Sequence, residues 1–262
     1  MVNVFVRKAA RKLRLLLSRN EIRHEQTSLA PNHTHWEPIW PRIPPLDGFT
    51  AVGRAENYFI HDGYRVRLNP EFFDDTPLRE QWQKEVYWFG REVADRFAVT
   101  RVMDIGCGSG FKLMQYFSDL DTLGLDLEPT VRFLREKYPG RRWEICDFGR
   151  PPEFEPELVI CADVIEHLVR PEELVRFIRL MRPRLIVIST PERNLLMHGT
   201  HNGPPKNPAH VREWSMSEFR AFMESEFELL AHFISNGAQA TQCVLARLKD
   251  GETNNRVTGA AE

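Results

Sequence analysis

The sequence predicts an α/β three-layer sandwich built on a seven-stranded, mostly parallel sheet whose last strand is antiparallel, with an N-terminal extension added to it. Three observations carry this expectation. From Thr100 onward, short apolar runs alternate with helical patterns, as in βαβ units whose sheet is covered on both faces. The first run leads into Gly106-Cys107-Gly108-Ser109-Gly110, a turn where only glycine lets backbone approach a ligand closely. The last two runs are joined by the short segment Asn236–Thr241, which suits a hairpin rather than a crossover helix.

The chain begins with a basic amphipathic segment over residues 1–25. Its first twenty residues carry Arg7, Lys8, Arg11, Lys12, Arg14 and Arg19 and no acid, while Phe5, Ala9, Leu13, Leu16 and Leu17 recur at helical spacing. An apolar stripe beside a basic face suits peripheral contact with a membrane surface through residues 1–20, or a solvated or partner-bound helix. Residues 26–80 read as a linker and an N-terminal lid, because Pro31, Pro38, Pro41, Pro44 and Pro45 deny the backbone donors a regular element needs. The main domain spans 81–250. It opens with a helix over Gln81–Phe97, marked by Trp82, Val86, Phe89, Val93 and Phe97 at three- and four-residue steps.

Strands are expected at Arg101–Asp104, Thr122–Leu127, Arg142–Asp147, Leu158–Ala162, Leu185–Thr190, Phe227–Ser235 and Gln242–Leu248. Helices are expected at Phe111–Phe117, Pro129–Tyr138 and Pro171–Met181. Residues 251–262 read as a flexible tail.

Composition excludes several classes. The 262 residues are 42% hydrophobic and 27% charged with a net charge of -2, so there is no global attraction to nucleic acid. No apolar run approaches the ~20 residues that span a bilayer. Cys107, Cys146, Cys161 and Cys243 are widely spaced, unlike disulfide frameworks or zinc sites. A reduced, cytoplasmic protein is expected, with the inner membrane surface as the place where residues 1–20 would make contact.

The glycine turn implies a nucleotide-like cofactor, yet Phe111 stands where the dinucleotide pattern GxGxxG needs glycine. Asp104 at the strand end would repel a pyrophosphate but can hold an ammonium group. Asp126, ending the next strand, can accept both ribose hydroxyls. Asp147 can accept from an adenine amino group, with Phe148 packing near the base.

The blocks Val102–Gly110, Gly124-Leu125-Asp126, Cys146-Asp147 and Val159–Leu168 resemble, in order and spacing, the class I S-adenosylmethionine (SAM)-dependent methyltransferases. The resemblance covers about residues 85–248 and implies a Rossmann-like sheet with SAM as methyl donor. The cofactor-binding residues are then Asp104, Gly106, Cys107, Gly108, Gly110, Asp126, Leu127, Asp147, Phe148 and Ala162.

Methyl transfer is an in-line displacement, and an alcohol acceptor must lose its proton as the bond forms. Asp163, His167 and His210 are the catalytic candidates, since they follow strands four and five at the ligand edge of the sheet; His198 and His201 lie in the same long loop, Pro191–Trp214. That loop, with Glu56–Arg65, resembles bacterial methyltransferases of surface-polysaccharide and other glycan assembly. Tyr58, Tyr64, Trp82 and Trp214 suit stacking on sugar rings, so a saccharide hydroxyl is the expected acceptor.

A rival pattern is Asp163-x-x-Glu166-His167 with the later His210-Val211-Arg212-Glu213-Trp214. It resembles the metal-binding set of RNA 3′-terminal 2′-O-methyltransferases, in which two glutamates and two histidines hold a divalent ion. Asp163 departs from that set, and a metal is not the favoured reading. RNA is not the expected partner either, because the core lacks a concentrated basic stripe beyond Arg132, Arg135, Lys137, Arg141 and Arg142. A small-molecule acceptor, as in natural-product methylation, and a non-catalytic binding module of the same fold are the remaining alternatives.

Overall fold

The computed structural model describes residues 57–249. The basic segment 1–25, the proline-rich stretch up to residue 56 and the tail therefore lie outside the described residues. Seven strands form one sheet: β1 Arg101–Ile105, β2 Asp121–Asp126, β3 Arg142–Ile145, β4 Leu158–Ala162, β5 Leu185–Pro191, β6 Glu228–Asn236 and β7 Thr241–Arg247. Their order is β3-β2-β1-β4-β5-β7-β6. The first five run parallel, while β7 lies antiparallel between β5 and β6. The hairpin expected at the end of the chain is thus inserted so that its second strand, not its first, meets the parallel sheet.

The helices are α1 Lys84–Arg96, α2 Phe111–Phe117, α3 Glu128–Lys137, α4 Pro171–Met181, the single turn α5 Arg193–Leu196, and α6 Met216–Glu226. Alternation of side chains along the strands feeds two apolar layers. Met103, Ile105, Leu123, Leu125, Val159 and Cys161 face α4 and α6. Val102, Ile160 and Val187 face α1, α2 and α3. With both faces covered, all five residues of β4 are buried, which explains why this strand reads as an unbroken apolar run.

Most boundaries fall within one residue of expectation, and two shift further. The first helix starts at Lys84 rather than Gln81, because Gln83 has φ +56° and breaks the helical path. Strand β3 stops at Ile145 and gives way to a turn closed by Arg150 N–H donating to the Asp147 carbonyl at 3.0 Å. The segment after Trp214, to which the sequence reading assigns no element, is a helix, and its start is fixed by a capping box: Ser215 accepts from the backbone of Glu218, and the Glu218 side chain accepts from Ser215 N–H.

Residues 57–75 have no regular structure but run along the 201–211 loop. Arg65 N–H donates to Asn202 O at 2.8 Å, Arg67 N–H to Val211 O at 2.8 Å and Glu71 N–H to Pro208 O at 3.0 Å. Ile60, 3% exposed, anchors this segment in the core beside α6.

Candidate functional site

The register of the sheet brings the carboxyl ends of β1, β2 and β4 to one edge, with Asp104 opposite both Gly124 and Ile160. Here the chain turns through Gly106, Gly108 and Gly110, all at positive φ (72°, 52° and 68°), which strains any residue with a Cβ. The loop is also tightly covered. A Cβ on Gly106 would lie 2.3 Å from Val164 Cγ2, and one on Gly110 would lie 2.7 Å from Leu134 Cδ2. Gly106 N–H and Cys107 N–H donate to the Leu125 carbonyl at 2.8 and 3.2 Å, tying the loop to β2.

Two carboxylates flank the loop. Asp104 is fully buried and takes both contacts from the Tyr87 hydroxyl, at 3.1 and 2.9 Å; burial pushes it up to about 7 despite that hydrogen bond. Asp126 Oδ2 accepts from Gly108 N–H at 2.8 Å and Oδ1 from Leu127 N–H at 2.7 Å, so its orientation is set by the loop it serves. Next to it Leu127 and Ile145 are about half exposed, 52% and 50%, an apolar shelf at the ends of β2 and β3. Asp147 is exposed and accepts from Gly149 N–H at 2.8 Å, while the Phe148 ring lies against Phe177, 5.5 Å between centroids. Ala162, 5% exposed, closes β4.

A second cluster begins just after Val164, whose side chain packs against Gly106. Glu166, His167 and His210 each offer one ligand atom, and these atoms lie within 4.8 Å of one another. Glu166 sits in the 3-10 turn Ile165–His167, fully buried. Its Oε2 accepts from the Thr190 hydroxyl at 3.0 Å, but its Oε1 is buried with no hydrogen-bond partner. Burial first, and then the Asp163 charge, push this carboxyl well above the ordinary range. His167 donates from Nδ1 to Ala209 O at 2.8 Å, which leaves Nε2 with its lone pair. Burial and then the neighbouring His210 hold it down at about 4, so the ring is neutral.

In His210, Nδ1 bonds Glu213 Oε1 at 2.7 Å, and Nε2 faces Asn207 Nδ2 at 2.9 Å. A carboxylate on Nδ1 fixes the tautomer with the lone pair on Nε2, where the Asn207 amide donates.

Asp163, expected beside these residues, stands next to the cluster but outside the three-atom group. It adopts φ +54° and accepts from the Ser189 hydroxyl at 2.5 Å. The four-residue set of the sequence pattern is therefore reduced to three by geometry. His198 is exposed, and His201 turns its Nδ1 to Gly203 N–H at 3.0 Å; neither belongs to the cluster.

Trp214 corrects a further expectation. It is fully buried, stacked on Phe222 at 5.9 Å and 8° with the Arg212 guanidinium 5.8 Å from its ring, so it has no face for a sugar. The Tyr64 hydroxyl accepts from Glu213 N–H at 3.0 Å and helps hold the His210 loop instead. Asp75, Ser189 and Thr190 have no place in the sequence motifs, whereas Asn207 and Glu213 lie in the stretch around His210 that the motifs include.

No protein-family profile matches the chain. A small RNA 2′-O-methyltransferase of Gallus gallus is 27% identical over 189 residues, with 60% of this chain and 49% of that protein covered. The chain thus spans about half the length of that relative. Among solved structures, a SAM dependent methyltransferase from Aquifex aeolicus aligns with a TM-score of 0.51 at 14% identity, over 68% of this chain and 100% of that one. With its strand order, glycine turn and acidic strand ends, the chain has the Rossmann-like fold of the SAM-dependent methyltransferases.

Proposed function

We propose that this chain is a SAM-dependent O-methyltransferase that holds a divalent cation at Glu166, His167 and His210 and methylates a ribose hydroxyl at the 3′ end of RNA. The observation that carries the proposal is the buried Glu166 Oε1, which has no partner and belongs to a group of three ligand atoms within 4.8 Å. A buried polar atom without a partner is costly, and a cation would supply the missing one.

The donors fit both groups. The glycines of the loop leave it room for no side chain of its own, Asp104 offers a buried carboxylate to an ammonium, and the half-buried Asp126 stands beside the apolar shelf of Leu127 and Ile145. One carboxylate and two imidazoles would suit a first-row divalent ion and, being only three, would leave room for acceptor oxygens. Such an ion supplies Lewis-acid polarisation of a hydroxyl oxygen.

The chain's own residues do the rest. Glu213 orients His210, and Ala209 O orients His167. Asn207 Nδ2, which caps His210 Nε2, must turn aside for that nitrogen to act as a ligand. The close packing of Val164 against Gly106 joins the cofactor loop to the cluster, which would help hold donor carbon and acceptor oxygen in one register. In the reaction the carbon–sulfur bond would break as the carbon–oxygen bond forms, the electron pair staying on the sulfur of S-adenosylhomocysteine and the hydroxyl proton passing to solvent.

The RNA acceptor rests on the avian relative's activity and on chemistry: a 3′-terminal ribose presents neighbouring 2′ and 3′ hydroxyls, two oxygens for open positions on one ion. The buried Trp214 removes one of the aromatics that favoured a saccharide. The test uses methyl-labelled SAM with short RNA ending in ribose, the same RNA ending in 2′-deoxyribose, and a saccharide panel, each with chelator or added Mn²⁺. Label should enter only the ribose-ended RNA, and only with metal. Chelator-resistant labelling of saccharides would return the acceptor to a glycan hydroxyl.

A further inference from the structure

The irregular segment that follows the 201–211 loop ends at a place its sequence does not advertise. From Arg65 to Glu71 it is tied to that loop by backbone hydrogen bonds, and four residues later it sets the Asp75 carboxylate on the bare face of Gly108. A Cβ on Gly108 would lie 1.8 Å from Asp75 Oδ2 and 2.9 Å from Oδ1. The absence of a side chain at Gly108 is thus what lets this carboxylate reach the floor of the cradle.

Asp75 arrives among other acidic groups. Asp104 and Asp126 flank the same loop and interact with it electrostatically, and burial together with Asp126 raises Asp75 to about 6. The ammonium of Lys112, 8% exposed, is the cation facing Asp104 and Asp75, and Asp163 shares it. Its own hydrogen bond goes to the Arg79 carbonyl, at 3.5 Å. Three acidic groups thus stand around the loop beside this one ammonium, and burial raises all three, so a cation bound in the cradle would favour their charged forms.

We propose that Asp75 is a specificity-determining residue of the cofactor site, which favours the cationic SAM over its uncharged demethylated product. The inference rests on the SAM reading above. SAM carries a sulfonium, an ammonium and a carboxylate, a net charge of +1; S-adenosylhomocysteine has lost the sulfonium charge and is neutral overall. A carboxylate seated in the loop interacts more favourably with the first than with the second, by Coulomb attraction in a site of low dielectric. Because the same segment is tied to the loop carrying His210, the reading of cofactor charge and the placing of the acceptor-side loop share one stretch of chain.

The test is calorimetric binding of SAM and of S-adenosylhomocysteine to the full chain, to Asp75→Asn and to Asp75→Glu, with circular dichroism to check that each variant is folded. Asp75→Asn should weaken SAM binding about tenfold or more, the effect of about one pK unit of charge interaction, and product binding by about threefold or less. Asp75→Glu, which keeps the charge, should restore the preference. Equal losses for both ligands, no loss, or tighter SAM binding by Asp75→Asn would overturn the proposal and mean that the carboxylate merely packs or blocks. Failure of the unaltered chain to bind either ligand would overturn the SAM reading, and this inference with it.

Discussion

Glu166→Gln should make the metal-free protein more stable while removing its response to metal. The side chain is fully buried, its Oε1 has no partner, and Asp163 and Glu213 add like-charge repulsion after the dominant effect of burial. A carboxyl in that position is either charged at a cost or protonated at a cost. Protonating an ordinary carboxyl of pKa about 4.3 at pH 7.5 costs about 4 kcal/mol at 1.36 kcal/mol per unit, which is the ceiling. Leaving one buried polar group unpaired costs about 1–3 kcal/mol. A neutral amide that keeps the Thr190 hydrogen bond should therefore recover about 2 kcal/mol, or about 4–8 °C in Tm for a chain of this size.

The assay is thermal unfolding of both proteins in chelator and in excess Mn²⁺. The unaltered chain should rise in Tm with Mn²⁺, by the linkage between binding and folding. The variant should start higher and not respond. A lower Tm for Glu166→Gln in chelator, together with an equal Mn²⁺ response in both proteins, would refute the reasoning, because Glu166 would then be an ordinary structural carboxylate.

Gly106→Ala should lose about tenfold or more in SAM affinity, since φ +72° and a Cβ 2.3 Å from Val164 Cγ2 impose both backbone strain and overpacking. Gly140→Ala, where a Cβ meets nothing within 4 Å, should bind SAM unchanged in the same titration. Stability should fall with acid partly through His232, fully buried and held at about 4 by burial despite its Gln242 hydrogen bond. Its folded pKa lies below the unfolded value, so the unfolded chain takes up the proton first. The contribution is present above about pH 6.5 and lost toward pH 4, worth about 3 kcal/mol. His232→Gln should flatten unfolding free energy against pH in that window, leaving the slope that His167 contributes with the same sign. Arg193→Met should cost about 3–5 kcal/mol by stranding Glu218, its partner at 2.8 Å, with both side chains buried. Denaturant unfolding checks this, and Arg193→Met/Glu218→Gln should recover part of the loss.

The core of the fold was legible because its signals are local. Parallel strands buried on both faces read as apolar runs, as in Leu158–Ala162, and the glycines of the 106–110 turn mark positions where a Cβ has no room. Helix α6 was equally legible in principle, since Ser215 and Glu218 form a capping box in consecutive sequence. The hidden features depend on chain paths that no short pattern encodes. Asp75 reaches Gly108 only because residues 65–71 follow the distant 201–211 loop. Asp163 fits the spacing of a ligand, yet its positive φ and the Ser189 hydroxyl, 26 residues away, turn it aside. Trp214 looks like a binding aromatic in a polar loop, and tertiary packing makes it core.

The central claim is that Glu166, His167 and His210 hold a divalent cation. Its most direct measurement is a Co²⁺ titration of the full chain, freed of metal by chelator, followed by the visible absorption that Co²⁺ acquires from imidazole and carboxylate ligands. Saturation is expected at one ion per chain, with the signal lost in both His210→Gln and Glu166→Gln. The absence of a saturable signal, or an unchanged signal in both variants, would contradict it.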